Sequence, residues 1–517
     1  MRERLWESVA SCRTLRGGGS ENSMRLTDQD IEAIAQRIAG DMGGAPRAAY
    51  APSPAATGGG SSSVSSAPAA APAGANGMGV FNTVDEAVAA ARKAMPVFAN
   101  QPLDVRRRII QSIRTVMTEN SAALAKQAVE ETKYGRFEDK VAKNALAIEK
   151  SVGVEGLTTT AFTGEHGLTL VEYAPYGCIG AITPTTNPIA TIICNAICML
   201  SAGNVVVFSV HPSARYVSIQ TVALLNKAIT AAGGPPNVVV CVANPTIASA
   251  GEIMHHPGIR VLAVTGGEGV VKAAMNAGKR AICAGPGNPP VVVDETADID
   301  HAAASIVMGA SFDNNMICIE EKETVVVASV ADQLIQAMLH HNAVLIPKEK
   351  IPAMEQVIFT KMAGPRGHAT VNKKCIGQNA DELLAQMGIS APSSTRLAIV
   401  DVPEDHPLLW TEQMMPVMPI TRVKNAGTAI DLALEMEGHN YHTAVMHSRN
   451  VDNLSRMAKE CNCSIFVKNG PSLNGLGFGG EGYTSFTIAS PTGEGITTSV
   501  SFSRIRRCSL IDRFRIV

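Results

Sequence analysis

The segment Ser311-Phe-Asp-Asn-Asn-Met-Ile-Cys318-Ile-Glu-Glu-Lys-Glu323 lies between small and apolar residues at 302–310 and a β-branched run at 324–327. Its Asn and Glu residues are more typical of a site wall than of a core. A thiol is the strongest nucleophile among the side chains, and a small fraction is thiolate at neutral pH. A single cysteine is more often just a small buried apolar residue. Cys318 is therefore a candidate nucleophile that the other motifs must support.

The composition predicts a globular α/β protein. The chain has 517 residues, enough for two or three domains, with 46% apolar, 17% charged and 4% aromatic residues. Abundant Ala, Gly and Val suit buried parallel strands and closely packed helices. The formal net charge of −2 gives no overall attraction to a polyanion, so nucleic acid is not expected as a partner.

The cysteines indicate a reducing compartment. Eleven of them are scattered along the chain without the spacing of a disulfide framework or a zinc site, which favours reduced thiols in the cytoplasm. The most apolar run, at 189–200, is interrupted by Asn195 and is too short to cross a bilayer. There is no apolar segment of a secretory signal at the N-terminus, so no membrane association is expected.

Residues 1–80 are predicted to be a disordered tail that carries one short helix. Residues 1–23 show no pattern, and Met24 offers a second start site. A capping-box pattern opens an amphipathic helix at about 26–42, and residues 43–79 are almost wholly Ala, Gly, Pro and Ser, as in a flexible linker. A tethered helix of this kind indicates a docking peptide, and the alternative is a tail with an accidental apolar stripe.

From residue 81 onward the sequence alternates between predicted helices and strands, which is typical of a parallel sheet. A capping box at Thr83-x-x-Glu86 opens Ala-rich helices through residue 150. The predicted strands are 168–174, 176–183, 205–209, 238–242, 260–264, 324–327, 396–400 and strands within 493–517. The predicted helices between them include 189–200, 270–276, 331–340 and 348–362.

The segment Thr265-Gly266-Gly267 lies between a predicted strand and a predicted helix. Glycines in that position let backbone N–H groups approach a phosphate or pyrophosphate. Because the full G-x-G-x-x-G spacing is absent here, an ordinary turn between strand and helix is the alternative.

Taken in order, these segments resemble the aldehyde dehydrogenase superfamily over nearly all of residues 81–517. The resemblance rests on Thr183-Pro-Thr-Thr-Asn187-Pro188, Leu200 to Phe208, Val264-Thr-Gly-Gly267, Ala284-Gly-Pro-Gly-Asn-Pro-Pro290, the Cys318 segment, and Glu412 to Pro419. The CoA-acylating branch of ethanolamine- and propanediol-utilisation enzymes is more similar still, through Phe208-Ser-Val-His-Pro212, the 284–290 segment and Gly438-His-Asn-Tyr-His442. The N-terminal helix and linker resemble the peptides that target such enzymes into bacterial microcompartments.

The resemblance implies an α/β, aldehyde dehydrogenase-like fold: a Rossmann-type parallel-sheet cofactor domain, an α/β catalytic domain and a small β oligomerisation element. The expected divisions are the tail at 1–80, a dinucleotide-binding domain at 81–295 with an oligomerisation hairpin at 166–176, a catalytic domain at 296–485, and oligomerisation strands at 486–517. A homodimer or homotetramer is implied, in the cytoplasm and within the lumen of a microcompartment whose shell protein binds the N-terminal helix.

The resemblance also implies roles for individual residues. Cys318 matches the nucleophile, and Asn187 matches the side-chain amide of the oxyanion hole, although an Asn before Pro also forms turns. The positions expected to bind NAD are Thr183, Pro184, Thr185, His211, Pro212, Thr265, Gly266, Gly267, Ala284, Gly285 and Glu412. The candidates for contacts with substrate or CoA are Ile317, Ile319, His439 and His442. His211 and Pro212 occupy the position of the family's adenosine-ribose lysine, so that contact departs from the family pattern.

One departure bears on the chemistry. In hydrolytic aldehyde dehydrogenases a Glu precedes the turn that matches 284–290 and activates water, whereas Cys283-Ala284-Gly285 offers no carboxylate. Water is a poor nucleophile without a base, and a thiol is already partly ionised. The predicted function is oxidation of acetaldehyde or propionaldehyde to its acyl-CoA with NAD and coenzyme A. The alternatives are a hydrolytic or semialdehyde dehydrogenase that forms a free acid, and a non-catalytic scaffold associated with the shell.

Overall fold

The structure is a computed structural model that describes residues 78–517. The predicted docking helix at 26–42, and the linker up to residue 77, lie outside the described residues. The predicted capping box is confirmed: Thr83 Oγ1 accepts a hydrogen bond from Glu86 N, and the Glu86 carboxylate accepts one from Thr83 N, both at 3.2 Å. The first helix accordingly begins at Val84.

The strands and helices of the described residues are numbered here in chain order. The strands are β1 (Val80–Phe81), β2 (Thr160–Gly164), β3 (Gly167–Pro175), β4 (Cys178–Ile182), β5 (Val205–Ser209), β6 (Val239–Val242), β7 (Val261–Thr265), β8 (Arg280–Ala284), β9 (Pro290–Val293), β10 (Glu323–Val327), β11 (Ala343–Leu345), β12 (Phe359–Lys361), β13 (Thr370–Val371), β14 (Leu397–Asp401), β15 (Val417–Val423), β16 (Thr443–His447), β17 (Ile465–Lys468), β18 (Ile488–Ala489), β19 (Gly495–Ile496) and β20 (Ser503–Ile511). The α-helices are α1 (Val84–Ala99), α2 (Leu103–Thr132), α3 (Phe137–Lys150), α4 (Pro188–Ser201), α5 (Arg215–Ala231), α6 (Ile247–His255), α7 (Glu268–Met275), α8 (Ile299–Ser311), α9 (Ala328–His340), α10 (Ile351–Ile358), α11 (Ala380–Gln386), α12 (Ala426–Glu437) and α13 (Val451–Cys461).

A six-stranded parallel sheet contains β1 and β4 to β8, in the order β1-β6-β5-β4-β7-β8. Strands β4, β5 and β6 are buried along their whole length, as expected for a parallel sheet that is covered by helices on both faces. The strands predicted at 205–209, 238–242 and 260–264 are confirmed as β5, β6 and β7 to within one residue.

The order in which successive strands are added to this parallel sheet reverses at β4. The path from β4 through β5 to β6 runs to one side of the sheet, and β7 and β8 extend it on the other side. In open α/β sheets, ligands bind beyond the carboxyl ends of the strands at such a switch point. The segments that follow Ile182 and Thr265 therefore border the expected crevice.

A seven-stranded parallel sheet forms the second half of the fold, in the order β11-β14-β15-β10-β9-β16-β17. Its inner strand β9, residues 290–293, was expected in the dinucleotide-binding domain that ended at residue 295. That boundary is wrong by one strand, because the valines of β9 pair with β10 and β16 rather than with β8. The connection between the two sheets is the 285–289 segment.

A three-stranded antiparallel sheet contains β2, β3 and β20. The predicted hairpin at 166–176 covers only its second strand, because the turn lies at 165–166 and the first strand begins at Thr160. The C-terminal strand β20 pairs with β3 of the same chain, from Ser503 opposite Pro175 to Ile511 opposite Gly167. Sheet pairing of the final segment is thus satisfied within one subunit.

The helix predicted at 348–362 is shorter than expected. A 3₁₀-helix covers Lys348–Lys350, α10 ends at Ile358, and β12 then pairs with β13 in a small antiparallel hairpin. Phe359 and Thr360 are aromatic and β-branched residues, which favour a strand once the chain leaves the helix.

Candidate active site

A cavity of about 270 Å³ lies at the switch point. Its wall combines the loop after β4, the glycine turn after β7, the Cys318 segment and the segment around Glu412. The predicted site residues in this wall are Thr183, Pro184, Thr185, Asn187, His211, Thr265, Gly266, Gly267, Gly285, Ile317, Cys318 and Glu412. Segments that are distant in the sequence therefore meet around one thiol.

Ile319 was predicted to contact substrate or CoA, and this prediction is wrong. The chain turns directly after Ile317, whose carbonyl oxygen accepts a hydrogen bond from Glu320 N at 3.1 Å. This turn directs Ile319 into the hydrophobic core, where it is fully buried and outside the cavity wall. Ile317, two residues earlier, lines the cavity as predicted.

Ala284 and Pro212 also lie outside the cavity wall, contrary to their predicted role as direct cofactor contacts. Ala284 is buried at the end of β8, where its carbonyl oxygen accepts a hydrogen bond from Gly266 N at 3.2 Å. It therefore supports the glycine turn from behind. Pro212 begins a short 3₁₀-helix, and its neighbour His211 is the residue that lines the cavity.

A turn of unusual backbone conformation precedes Cys318. Asp313, Asn314 and Asn315 have φ angles of 45°, 58° and 64°, in the left-handed region that residues with side chains rarely adopt. Asp and Asn tolerate this region best because their side chains bond locally. Strained residues of this kind persist at active sites when the surroundings impose them. The Asp-Asn-Asn sequence is thus explained by the turn that presents Cys318.

The surroundings of Cys318 disfavour its thiolate in the free protein. Burial raises the pKa of the Cys318 thiol to about 12, and the Glu412 carboxylate adds to this effect, while the Lys322 ammonium group opposes it. The side chain still has a partly exposed surface in the cavity. Activation of the sulfur therefore needs positive charge or hydrogen-bond donors beside it.

Asn187 is held by a lysine that the sequence reasoning missed. It occupies the N-cap position of α4, and its Oδ1 accepts a hydrogen bond from Lys143 Nζ at 2.7 Å. Its Nδ2 donates to the Met316 carbonyl oxygen at 3.4 Å, two residues before Cys318. Because lysine has donors only, this contact places Oδ1 toward the lysine and Nδ2 toward the Cys318 segment.

The same lysine belongs to a buried ionic cluster. Lys140 Nζ lies 2.9 Å from Asp313 Oδ2, which Lys143 also contacts, and Arg136 N donates to Asp313 Oδ1 at 2.8 Å. Burial alone would raise the pKa of Asp313, but the two lysines hold it below its ordinary value. Burial lowers the pKa of Lys140 to about 8. The cluster ties α3 to the strained turn.

A faint sequence signal for this cluster exists in α3. Lys140 and Lys143 share with Ala147 the i, i+3, i+7 spacing of an apolar stripe. A lysine on the buried face of a helix requires a partner, since an unpaired buried charge is costly. That spacing could have identified the two lysines as members of a polar site.

The cavity has the features that a nicotinamide dinucleotide needs. The buried hydroxyl oxygens of Thr183 and Thr185 in its wall have no hydrogen-bond partner among the described residues. Gly267 is the N-cap of α7, and a Cβ atom there would meet no heavy atom within 4 Å, so the turn has room for a ligand against its backbone. Helix N-termini of this kind bind phosphate groups. The residues present fit the cofactor.

Carboxylate groups are present, but not at the position expected in a hydrolytic enzyme. Strand β8 ends in the buried residues Cys283 and Ala284. Glu412 lines the cavity instead, where its Oε1 accepts a hydrogen bond from Gly287 N at 3.4 Å. Burial raises the pKa of Glu412, which is the direction that suits a general base. Glu412 is therefore the residue to test for water activation.

The two histidine candidates have different environments. His439 is exposed and lines a second cavity of about 600 Å³, which shares Pro286 and Glu412 with the first. His442 is fully buried, with its Nδ1 2.9 Å from Thr443 Oγ1. The structure thus places His439 at a surface cleft and His442 inside the protein, outside the walls of both cavities.

The ring of His442 is neutral and one of its nitrogens has no protein partner. Burial lowers the pKa of His442 to about 4. Its Nε2 lacks a hydrogen-bond partner among residues 78–517. A Cβ atom on Gly287 would lie 3.0 Å from both His442 Cγ and the Cys318 carbonyl oxygen, so the imidazole packs close to the backbone of Cys318.

The described residues contain neither a metal-binding cluster nor a helix that could span a membrane. Within 78–517, no group of three or more His, Cys, Asp or Glu side chains is arranged to hold a metal ion. In the same part of the chain, every helix is too short or too polar to traverse a bilayer. Cys194 and Cys198, which lack zinc-site spacing, are both fully buried in α4.

A cysteine, a side-chain amide and a glycine turn meet in one cavity between the two parallel sheets. Residues 78–498 match the aldehyde dehydrogenase family, and the chain belongs to it. This confirms the predicted fold class.

The similar proteins form CoA esters. Acetaldehyde dehydrogenase (acetylating) EutE of Salmonella typhimurium is 49% identical, and propanal dehydrogenase (CoA-propanoylating) of the same organism is 45% identical; each alignment covers 85% of this chain and 94% of the relative. A propionaldehyde dehydrogenase of Rhodopseudomonas palustris, solved with bound CoA and an acylated cysteine, is 49% identical with a TM-score of 0.81, over 84% of this chain and 98% of that one. A propionaldehyde dehydrogenase from the Clostridium phytofermentans fucose utilisation bacterial microcompartment is 45% identical with a TM-score of 0.82, over 85% and 100%.

Proposed function

We propose that this protein oxidises a short aliphatic aldehyde, acetaldehyde or propionaldehyde, to its acyl-CoA through a thioester on Cys318 with reduction of NAD. The observation that carries the proposal is the meeting of Cys318, Asn187 and the Gly266-Gly267 turn in one cavity. The acylating relatives support the same reaction class.

In the first half-reaction, the Cys318 thiolate adds to the aldehyde carbon and forms the oxyanion of a thiohemiacetal. Asn187 Nδ2 and the Cys318 backbone N–H donate to the oxygen that becomes negative, and such a donor is worth roughly 3–4 kcal/mol in related chemistry. A bound nicotinamide dinucleotide supplies the hydride acceptor. Loss of hydride from the thiohemiacetal carbon leaves a thioester on Cys318.

In the second half-reaction, the CoA thiol attacks the thioester carbon and Cys318 leaves as a thiolate. His442 is the base that we assign to the CoA thiol, because its imidazole packs close to the Cys318 backbone and has an Nε2 without a partner among the described residues. A thiol competes well with water for the thioester because it is intrinsically more nucleophilic.

The wall composition suits a small apolar substrate. Met316, Ile317, Phe486 and Ile488 line the cavity that contains Cys318. These side chains provide apolar surface for an aliphatic chain but no charged group for a carboxylate-bearing semialdehyde.

The test is an NADH-forming assay with acetaldehyde and propionaldehyde, with and without CoA. The expected result is continuous turnover with CoA and one NADH per active site without it. Full-rate turnover without CoA would contradict thiolysis. Cys318→Ala should remove both the burst and the turnover, and wild-type protein that gives no burst would indicate the non-catalytic scaffold.

Hydrolysis is the second candidate, because Glu412 lies in the same cavity as Cys318. If Glu412 activates water, Glu412→Gln should abolish NADH formation in the absence of CoA beyond the first turnover. If Glu412 only holds the cofactor, Glu412→Gln should raise the KM for NAD and leave the CoA requirement in place.

We further propose that the protein is a homodimer or homotetramer that assembles through the β2-β3-β20 sheet. Phe162, Ile505 and Ile511 on this sheet are 58%, 70% and 64% exposed in the single chain, which is unusual for large apolar side chains unless a partner covers them. Light scattering of the wild type and of Ile505→Lys tests this, and a wild-type monomer would contradict it.

Location in a microcompartment lumen, with a shell protein bound to the predicted helix at 26–42, is the remaining part of the proposal. It is supported by the sequence pattern of the first 80 residues and by the microcompartment relative. Removal of residues 1–77 should preserve turnover and abolish co-purification with shell particles. Co-purification that survives the deletion would contradict the docking role.

A further inference from the structure

Lys143 contacts both parts of the candidate catalytic centre. Its Nζ donates to Asn187 Oδ1 at 2.7 Å and to Asp313 Oδ2 in the turn before Cys318. The residue is only 2% exposed, so these contacts replace water around the ammonium group. A charge that is desolvated to this degree is retained only with strong partners.

We propose that Lys143 is a positioning residue for the oxyanion hole, and that its ammonium group holds the Asn187 amide with Nδ2 rather than Oδ1 toward the oxyanion formed at Cys318. The inference rests on the proposed function, because it requires Asn187 to donate to that oxyanion.

The need for positioning follows from the shape of an amide. Its oxygen and nitrogen ends are nearly the same size, so a rotation by 180° costs little in packing. The rotated amide would present Oδ1 to a negatively charged oxygen and would raise the energy of the transition state. Some neighbour must therefore distinguish the two ends of Asn187.

Lys143 is the strongest of the neighbours that make this distinction. The Nδ2 contacts of Asn187 are long, at 3.2 Å to Thr186 Oγ1 and 3.4 Å to the Met316 carbonyl oxygen. The contact of Lys143 Nζ with Oδ1 is 2.7 Å and charge-assisted, and bonds of that kind are about twice as strong as neutral ones. An ammonium group on Oδ1 also polarises the amide and makes its N–H a better donor.

Lys140 provides a matched control on the same helix. It is buried to the same degree, at 3% exposed, and its Nζ lies 2.9 Å from the same Asp313 Oδ2. Among the described residues it makes no hydrogen bond to Asn187. A loss that arises from the Asp313 cluster should appear in both lysine variants, whereas a loss that arises from Asn187 should appear mainly in the Lys143 variant.

The experiment is a double-mutant cycle with Lys143→Met, Asn187→Ala and their combination, and with Lys140→Met as the control. The rate of the NADH burst with propionaldehyde reports acylation, and iodoacetamide alkylation of Cys318 reports whether the thiol is still in place. We expect Lys143→Met to slow the burst by roughly 10²-fold, the scale of one oxyanion-hole donor. The KM for aldehyde and the alkylation rate should change by less than about threefold, since neither uses the oxyanion hole.

In the Asn187→Ala background, Lys143→Met should cause no further loss, because the amide on which it acts is gone. The fold-reduction of the burst rate by Lys140→Met should be at least about tenfold smaller than the fold-reduction by Lys143→Met, on the scale of one donor. The inference is overturned if the losses of Lys143→Met and Asn187→Ala multiply in the double variant. It is also overturned if Lys140→Met is as slow as Lys143→Met, or if Lys143→Met has the burst rate of the wild type. If Lys143→Met does not fold, Lys143→Gln replaces it with the reverse criterion. Its amide can still donate to Oδ1, so its burst should stay well above that of Asn187→Ala, and a burst as slow as that of Asn187→Ala would overturn the inference.

The outcomes separate this inference from the proposed function. An Asn187→Ala variant that keeps the full burst rate would remove Asn187 from the mechanism. An Asn187→Ala variant that is slow, beside a Lys143→Met variant that is fast, would reject the role of Lys143 alone.

Discussion

Gly287 packs directly against the backbone of Cys318: a Cβ atom on Gly287 would lie 3.0 Å from the Cys318 carbonyl oxygen. The same Cβ would lie 3.0 Å from His442 Cγ. Both distances are at the short limit of non-bonded contact, so a side chain here would displace the Cys318 segment or the imidazole. The glycine in the turn after β8 therefore allows His442 to approach the Cys318 backbone.

Gly287→Ala should consequently reduce CoA-dependent turnover. A displacement of a few tenths of an ångström in either neighbour is expected to slow NADH formation by roughly 10- to 100-fold, because catalysis depends steeply on placement. Steady-state kinetics measure the loss. Gly251→Ala on α6, where a Cβ meets no heavy atom within 4 Å, is the matched control. Equal activity of the two variants would contradict the packing argument.

His442→Ala should affect acyl transfer more than acylation. We expect CoA-dependent turnover to fall by roughly 10²-fold or more, as for loss of a general base, while the burst without CoA is much less affected. Because burial lowers the pKa of His442 to about 4, the wild-type imidazole stays neutral from pH 8 down to pH 6, and this group causes no loss of rate in that range. The exposed His439 offers a contrast, since His439→Ala should act on the KM for CoA. A burst that falls in parallel with turnover would assign His442 a structural role.

Alkylation of Cys318 should accelerate with pH in the free protein. Since burial and Glu412 raise the thiol pKa to about 12, the thiolate fraction grows about tenfold per pH unit between pH 7 and 10. Glu412→Gln removes a negative charge and should speed alkylation at each pH. Peptide mass spectrometry follows the reaction, with the exposed Cys508 as an internal reference. A rate that is flat across this range would show that the thiol is already ionised.

Glu321 should make stability depend on pH. Its Oε1 accepts from Ser472 N at 2.7 Å and its Oε2 from Ser472 Oγ at 2.6 Å, which anchors the segment after Cys318. Burial raises its pKa from 4.5 to about 7, although these hydrogen bonds oppose the shift. The folded protein thus binds this proton more tightly than the unfolded chain, and the stabilisation is complete below pH 4.5 and lost as pH rises through about 7.

Glu321→Gln resembles the protonated form at every pH. Relative to the wild type, its free energy of unfolding should therefore increase between pH 5 and pH 8, by at most about 3 kcal/mol. Denaturant unfolding at several pH values measures the difference. Ser472→Ala, which removes one of the two bonds, should be less stable than the wild type below pH 5. A Glu321→Gln difference that does not vary with pH would contradict the raised pKa.

Local sequence patterns were sufficient for most of the fold. The capping box at Thr83 and Glu86 and the valine runs of β5, β6 and β7 predicted elements that the structure confirms. These succeed because a helix cap and a buried parallel strand are determined by neighbouring residues and by burial on both faces. The hairpin at 166–176 and the boundary at 295 failed, because strand pairing is a non-local choice.

The residues of the candidate site likewise fall into those that the sequence predicted and those that only the structure revealed. Cys318, Asn187 and the Gly266-Gly267 turn were predicted from motif order, whereas Lys143 and the inward direction of Ile319 were not. From the sequence alone, a lysine in a helix is interpreted as a solvated residue, because the partners of Lys143 come from other segments of the chain. The direction of Ile319 depends on a turn that only the surrounding core selects.

By itself, the sequence determined the alternation of helices and strands and the presence of residue types that can perform acyl transfer. It also showed cysteines without the spacing of a disulfide framework. These properties reside in single residues and short spacings. The tertiary structure alone decided that the order of the strands reverses at β4, that three left-handed residues precede Cys318, and that Lys143 Nζ donates to Asn187 Oδ1. Those features arise from contacts between residues that lie 44 to 173 positions apart in the chain, whose energies no local pattern contains.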